Sequence, residues 1–246
     1  MSWYEAPNAL VAHAHPDDET LATGALLAHW VQAGASVHVL TATRGEQGEV
    51  VDGPLTALEG TDDLHRHRVG ELAGALAELG VTSSAILGEP PARAEGLSPR
   101  HYHDSGMRWV TATVAGPSDN DDPLAFSTAD FSEAVDDLLA WARTVRPSLL
   151  VSYDSHGGYG HPDHVRMHEV TLAAAERSGI PMAEVVHDPT KPYDHWFDLD
   201  DQFDRLVRAL RHHASQLTVT GHDVVHVGGQ RDPIRTGVGL RLLTAG

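Results

Sequence analysis

The sequence predicts an α/β fold: a doubly wound, Rossmann-like, mostly parallel sheet with helices on both faces, followed by a smaller C-terminal α+β region. Three observations predict it. Short apolar runs of strand length alternate with segments of helical period through residues 8–180. Glycines stand where the first two helices should stop, at Gly34 and Gly80. The two segments that combine histidine with carboxylate each follow directly on an apolar strand-like run, at the strand ends where such sheets bind ligands.

In chain order, Leu10–His13 reads as a buried strand and Thr20–Ala33 as a helix with Leu21, Ala25, Ala28 and Trp30 at helical spacing. Ser36–Thr41 is a second strand. Asp63–Leu79 is a helix with Leu64, Val69, Leu72, Leu76 and Leu79 on one face, and Ser84–Leu87 is a third strand. Residues 88–128 are rich in Pro, Gly, Ser and Asp with little periodicity, and a loop of this length inside a domain is usually functional. Thr128–Thr144 reads as a helix capped by Thr128, Ser148–Tyr153 as a buried strand, and Pro162–Arg177 as a helix. Beyond these, Ala183–Val186 is strand-like, Asp201–Ala214 helical, and Val224–Val227 and Val238–Leu242 alternate as a small antiparallel pair would. The division expected is a core over 1–180 and a C-terminal region over 181–246 that packs on it and helps shape the pocket.

Composition narrows the function classes. The formal net charge of −18 opposes binding to nucleic acid or anionic membranes, both of which need basic surface. No apolar segment approaches the roughly 18–20 residues that span a bilayer. Met1-Ser2-Trp3-Tyr4-Glu5 lacks the basic start and apolar centre of a signal peptide, so a cytoplasmic address is expected. The chain has no cysteine, so any zinc must be held by histidine and carboxylate, which favours catalytic over structural sites.

The chemistry concentrates in two segments. Ala14-His15-Pro16-Asp17-Asp18-Glu19 follows Leu10-Val11-Ala12. Unpaired carboxylates are costly to desolvate, and a metal ion is the expected compensation. In a turn fixed by Pro16, His15 and Asp18 can converge while Asp17 stays beside them, which suits two ligands and one free carboxylate. Capping of the following helix would also explain the acids, but it leaves His15 without a role. Gly157-Gly158-Tyr159-Gly160-His161-Pro162-Asp163-His164 is the second segment. Pro162 fits a first helical position, His161 and His164 can share one side of the helix start, and His168 one turn deeper reads as a packed helix histidine. The first strand–helix turn has no Gly-x-Gly-x-x-Gly, which argues against a dinucleotide site.

On these two segments the chain resembles the PIG-L/LmbE-like zinc deacetylases, whose pattern is AHPDDE near the N-terminus and HPDH later. Gly45-Glu46-Gln47-Gly48-Glu49-Val50, Arg68-Val69-Gly70-Glu71-Leu72, His103-Asp104-Ser105-Gly106-Met107 and Tyr153-Asp154 support the likeness, which covers most of residues 8–180. The branch most similar acts on N-acetylglucosaminyl-inositol in mycothiol biosynthesis, with mycothiol-conjugate amidases and natural-product deacetylases as the alternatives. The resemblance implies Zn2+, or Fe2+ in its place, bound by His15, Asp18 and His164. It implies Asp17 as general base, His161 as the group that stabilises the tetrahedral intermediate or protonates the leaving amine, and Tyr159 as an oxyanion donor. Arg68, Asp104, Glu49 and Met107 are the implied substrate contacts, and an acetamido sugar is the implied partner, with a homo-oligomer as the assembly considered. Plainer readings stand beside these. Arg68 would pair with Glu71 or Asp63 on a solvated face, Asp104 would serve a turn, and Glu46 and Glu49 would keep a loop soluble. His65, His67, His101, His103, His212 and His213 have no partner that the sequence identifies. A non-catalytic binding protein would be expected to lose Asp17 or His161, and both are present.

Overall fold

The structure, a computed structural model, describes residues 2–5, 7–111, 113–119 and 121–243. Its first half follows the expected alternation: β1 (Ala9–His13), α1 (Asp18–Gln32), β2 (Val37–Thr41), α2 (Asp62–Leu79) and β3 (Ser83–Ile86). After a long excursion carrying the hairpin β4 (Met107–Trp109) and β5 (Ala115–Pro117), the alternation resumes. Next come α3 (Phe131–Val145), β6 (Leu149–Ser152), a single turn α4 (Gly157–Gly160), α5 (Pro162–Ser178) and β7 (Met182–Val186). The chain then adds β8 (His195–Asp198), α6 (Phe203–Leu210), β9 (Leu217–Thr220), β10 (Asp223–His226), β11 (Arg231–Pro233) and β12 (Gly237–Leu243).

The main sheet has seven strands in the order β3-β2-β1-β6-β7-β12-β8. Strands β3 to β7 in that order are parallel, whereas β12 runs antiparallel to both β7 and β8. Strand pleat divides the core. Ala9 and Val11 of β1 pack with Leu26, Leu72, Leu76 and Leu210 on the face covered by α1, α2 and α6. Leu10 and Ala12 pack with Leu138, Trp141, Met167 and Val170 on the face covered by α3 and α5. Such two-sided burial is why the parallel strands read as continuous apolar runs.

Several expectations are corrected. Helix α1 begins two residues before Thr20, so Asp18 and Glu19 lie inside its first turn. The cap of α3 is Asp130, whose carboxylate accepts the Glu133 N–H at 2.8 Å, and Thr128 instead closes a preceding 3-10 turn. The 88–128 excursion contains the β4–β5 hairpin. The two C-terminal alternating stretches do not pair with each other: β10 is the middle strand of a three-stranded sheet with β9 and β11, while β12 inserts into the main sheet. The predicted helix over 201–214 is confined to α6, preceded by a 3-10 turn. No helix among the described residues is long and apolar enough to cross a membrane.

The strand order fixes where a site can form. From the adjacent central strands β1 and β6 the chain departs in opposite directions, to β2 on one side and β7 on the other. The crevice outside their carboxyl ends is the topological switch point. The segment 14–17 leaves β1 there, and 153–161 leaves β6 there.

Candidate active site

Three donor atoms meet in that crevice. His15 Nδ1 lies 3.2 Å from Asp18 Oδ2, His164 Nε2 lies 3.2 Å from the same oxygen, and the two nitrogens are 3.3 Å apart. Tetrahedral zinc with ligands at about 2.0–2.1 Å spaces its donors about 3.3 Å apart, so this triangle has the edge lengths of three such ligands. The strand end delivers His15. Helix α1 delivers Asp18 from its first turn, and α5 delivers His164 from its own.

The outer hydrogen bonds set which nitrogens face inward. His164 Nδ1 is 3.2 Å from the Gly157 carbonyl, which can only accept, so Nδ1 carries the proton and Nε2 presents a lone pair. Gly157 makes this approach possible: its φ is +63, and a Cβ there would stand 2.8 Å from the Val165 nitrogen. His15 Nε2 is 3.1 Å from Asp163 Oδ2, which leaves Nδ1 of the neutral ring for the triangle. Asp163, fully buried, is held in turn by the Ser105 N–H at 2.8 Å and hydroxyl at 2.5 Å. Carboxylates behind ligating imidazoles are the usual support of a metal site. Asp18 Oδ2 also accepts from the His15 N–H at 2.9 Å and the Tyr153 hydroxyl at 2.7 Å, and the Tyr153 ring stacks on His164 with centroids 4.2 Å apart.

The field around the triangle is negative. Burial disfavours a charged His15, but Asp104, Asp163 and Asp18 around it raise its pKa well above the usual value. Burial also opposes ionisation of Asp18, yet His164 and His15 hold its carboxyl well below the usual range. Surroundings that favour a proton on His15 favour a divalent cation for the same reason. With the donor spacing and the fixed tautomers, the residues present fit a metal ion.

Asp17 and His161 flank this centre without belonging to the triangle. Asp17 occupies the N-cap position of α1 but its carboxylate makes no capping hydrogen bond, which removes the plain capping explanation. Burial, and then Asp18 beside it, push its pKa up to about 8. His161 caps α5 from outside: its Nδ1 accepts the Asp163 N–H at 3.2 Å, so a neutral ring carries its proton on Nε2. Burial, then His15 and His164, lower its pKa to about 3. Its ring centroid is 4.5 Å from that of His15 and 4.9 Å from that of His164.

The outer candidates divide. Asp104 is buried at the centre, with Oδ1 3.5 Å from His15 Nε2, and it also closes its own turn by accepting the Gly106 N–H at 2.8 Å. Tyr159 is 39% exposed, its ring 5.1 Å from that of His164, at the mouth rather than within the donor cluster. Arg68 is 2% exposed, not on a solvated face. Its Nη2 donates to the carbonyls of Glu49 at 2.9 Å and Gly48 at 3.3 Å, and Nη1 donates to that of Gly45. A Cβ on Gly48 would stand 2.1 Å from Nη1, so the loop wraps this guanidinium closely. Glu49 has an exposed side chain, and Met107 is half-buried at the start of β4. His168 donates its Nδ1–H to the Tyr153 carbonyl at 2.9 Å, which makes it the packed helix histidine expected.

Four residues important to this geometry were not singled out from the sequence. Asp163 carried a signal, as an acid enclosed between two histidines of one motif. Tyr153, at the end of an apolar strand, carried only its position. Ser105 lies in a segment quoted for other residues. Trp109, 50% exposed on β4 with its ring 5.8 Å from that of Tyr159, sits in the excursion that has no periodicity.

Residues 10–175 match the family described as PIG-L, GlcNAc-PI de-N-acetylase. The chain belongs to the PIG-L family. Among its relatives, the 1D-myo-inositol 2-acetamido-2-deoxy-alpha-D-glucopyranoside deacetylase of Kineococcus radiotolerans is 46% identical over 165 residues, covering 67% of this chain and 44% of the relative. The protein of the same name from Nocardioides sp. is 45% identical over 174 residues, 70% of this chain and 55% of its own. The chain thus spans about half the length of these relatives. Solved structures share the PIG-L fold at lower identity. N,N'-diacetylchitobiose deacetylase from Pyrococcus horikoshii has a TM-score of 0.58 at 18% identity, over 85% of this chain and 71% of that one. A deacetylase of the teicoplanin biosynthesis pathway has a TM-score of 0.58 at 23% identity, over 85% and 84%. The 4-carboxy-2-hydroxymuconate hydratase GalB has a TM-score of 0.60 at 18% identity, over 96% and 95%. A hydratase on the same scaffold means that the fold alone does not assign the reaction.

Proposed function

We propose that this chain is a zinc-dependent N-deacetylase that hydrolyses the acetamide of an N-acetylglucosaminyl conjugate to acetate and a free amine. N-acetylglucosaminyl-inositol, as in mycothiol biosynthesis, is the substrate proposed. The observation that carries the reading is the donor triangle of His15, Asp18 and His164 with an uncommitted carboxylate, Asp17, beside it. The names of the two relatives support the substrate.

His15 Nδ1, Asp18 Oδ2 and His164 Nε2 would hold the ion. Zinc bound there supplies a Lewis acid for an amide carbonyl and acidifies water near neutral pH. Asp17 takes the proton of the attacking water as it adds to the acetyl carbon. His161, its Nδ1 tied to the Asp163 amide, offers Nε2–H as a hydrogen bond to the oxygen that gains charge, and the proton held by Asp17 passes to the departing nitrogen as the carbon–nitrogen bond breaks. Tyr159 adds a donor at the mouth. Asp104, with Glu49 and Met107, is proposed to meet the sugar, while Arg68 holds the 45–49 loop that forms the wall. Residues 1–180 would carry the chemistry and the loop wall, and residues 181–246 would pack on this core and help shape the pocket, in a cytoplasmic enzyme.

The test is release of acetate and primary amine by the zinc-loaded protein from N-acetylglucosaminyl-inositol, from other acetamido sugars and from a mycothiol S-conjugate. Preferred turnover of the inositol conjugate is expected. Preferred turnover of another acetamide would replace the substrate and keep the reaction, and no cleavage of any amide would remove the reaction.

A further inference from the structure

We propose that His213, from the segment that follows α6, is a positioning residue for Asp17 and acts through Glu19; this rests on the role proposed for Asp17. The matched family region ends at residue 175, so His213 lies outside it.

Asp17 has φ +116 and ψ −31, a conformation that residues with a side chain rarely adopt. Such a conformation persists only where the surroundings over-determine it. Two contacts do so here. The Asp17 carbonyl accepts the Thr20 and Leu21 N–H groups of α1 at 3.0 and 2.8 Å. The Asp17 N–H donates to Glu19 Oε2 at 2.9 Å. Glu19 is a fully buried carboxylate, and its other oxygen faces His213 Nε2 at 3.0 Å. Thr20 joins the pair, its hydroxyl on Glu19 Oε1 and 3.1 Å from His213 Nε2.

His213 is itself fully buried and firmly placed. Two residues on, Ser215 is also fully buried, with its N–H and hydroxyl donating to Glu71 at 2.7 and 2.6 Å. Its carbonyl accepts the Val51 N–H at 3.0 Å, and its hydroxyl lies 3.4 Å from Arg68 Nε. One short segment therefore braces both the turn that carries Asp17 and the loop that Arg68 organises. A buried ionic pair gives little net stability over apolar residues of equal volume, so its use here is geometric. Glu19 needs its first oxygen fixed if its second is to hold the Asp17 amide in the strained turn.

The experiment compares wild type with His213→Met, His213→Gln and the double variant His213→Met with Glu19→Gln. The double variant removes the unpaired buried charge that could unfold the single one. Zinc content, kcat and KM for acetamide cleavage, and hydrogen exchange of the peptide containing the Asp17 amide are measured. Expected in both Met variants are full zinc content, an unchanged KM, a kcat lower by about 10- to 100-fold, and faster exchange at Asp17. His213→Gln, which keeps an N–H near the Nε2 position, is expected to recover most of kcat and of the protection. Wild-type kcat in the folded double variant, or unchanged Asp17 exchange in the Met variants, overturns the proposal. Failure of the wild type to cleave any acetamide would overturn the deacetylase reading instead, and the exchange measurement would still decide the role of His213.

Discussion

At the scale of single residues, the site separates groups that look alike in the sequence. Asp17 and Asp18 are adjacent acids, yet one oxygen of Asp18 is fixed by the Tyr153 hydroxyl and the His15 backbone N–H and stands beside the inward nitrogens of two imidazoles, while the Asp17 carboxylate has no capping bond. Asp17→Asn should therefore keep the metal and lower amide cleavage by about 10²–10⁴, the range of a positioned base. Equal zinc content with near-normal turnover would take Asp17 out of that role. Asp163 acts at one remove. Removing its charge with Asp163→Asn should weaken zinc binding by about 10- to 100-fold in a chelator competition, because the His15 ring loses the carboxylate that orients it. Unaltered affinity would mean that Ser105 and Asp163 serve packing only. His15, Asp17, Asp18, His161 and His164 were legible because each lies in a contiguous motif. His213 was not, because its partner Glu19 is 194 positions away and nothing local marks either as half of a pair.

At the scale of elements, the helix starts do two kinds of work. The cap of α3 is purely local: the exposed Asp130 accepts the Glu133 N–H at 2.8 Å. Asp130→Ala should lower unfolding free energy by about 1 kcal/mol in a denaturant titration and leave zinc affinity and kcat unchanged. A loss of activity without loss of stability would contradict that assignment. At α1 the cap residue Asp17 makes no cap bond and stands beside the donor triangle, and at α5 His161 both caps the helix through Nδ1 and packs its ring against His15 and His164. Periodicity located α1 and α5 within two residues at each end and the start of α3 within three, but it could not show which acids cap and which do not. At α3 that depends on local backbone geometry, since Thr128 looked like a cap by composition and Asp130 had the position to accept the Glu133 N–H.

For the whole molecule, the parallel half was legible because β1, β2 and β6 are buried along their whole length and each leads on to a helix of clear period. Of the C-terminal strands, β7, β10 and β12 were legible as strands but not in their pairing, and β8, β9 and β11 were not legible; β12 enters between β7 and β8, and its neighbours are set by contacts distant in sequence. That insertion makes the C-terminal region part of the main sheet. Leu206, Ala209, Leu210, Val238 and Leu240 are buried in the same core as Ala9, Val11 and Leu76. A chain truncated after Val186 should accordingly show no cooperative thermal transition, and a sharp one would show that residues 1–186 fold alone. Acetate release from N-acetylglucosaminyl-inositol is followed for metal-free protein titrated with Zn2+, in parallel with a His164→Ala variant. Activity is expected to rise to saturation near one equivalent of zinc in the wild type and to stay absent in the variant. Zinc bound at one equivalent by the wild type with no acetate released, or equal release by the variant, would contradict the assignment of the donor triangle to amide hydrolysis.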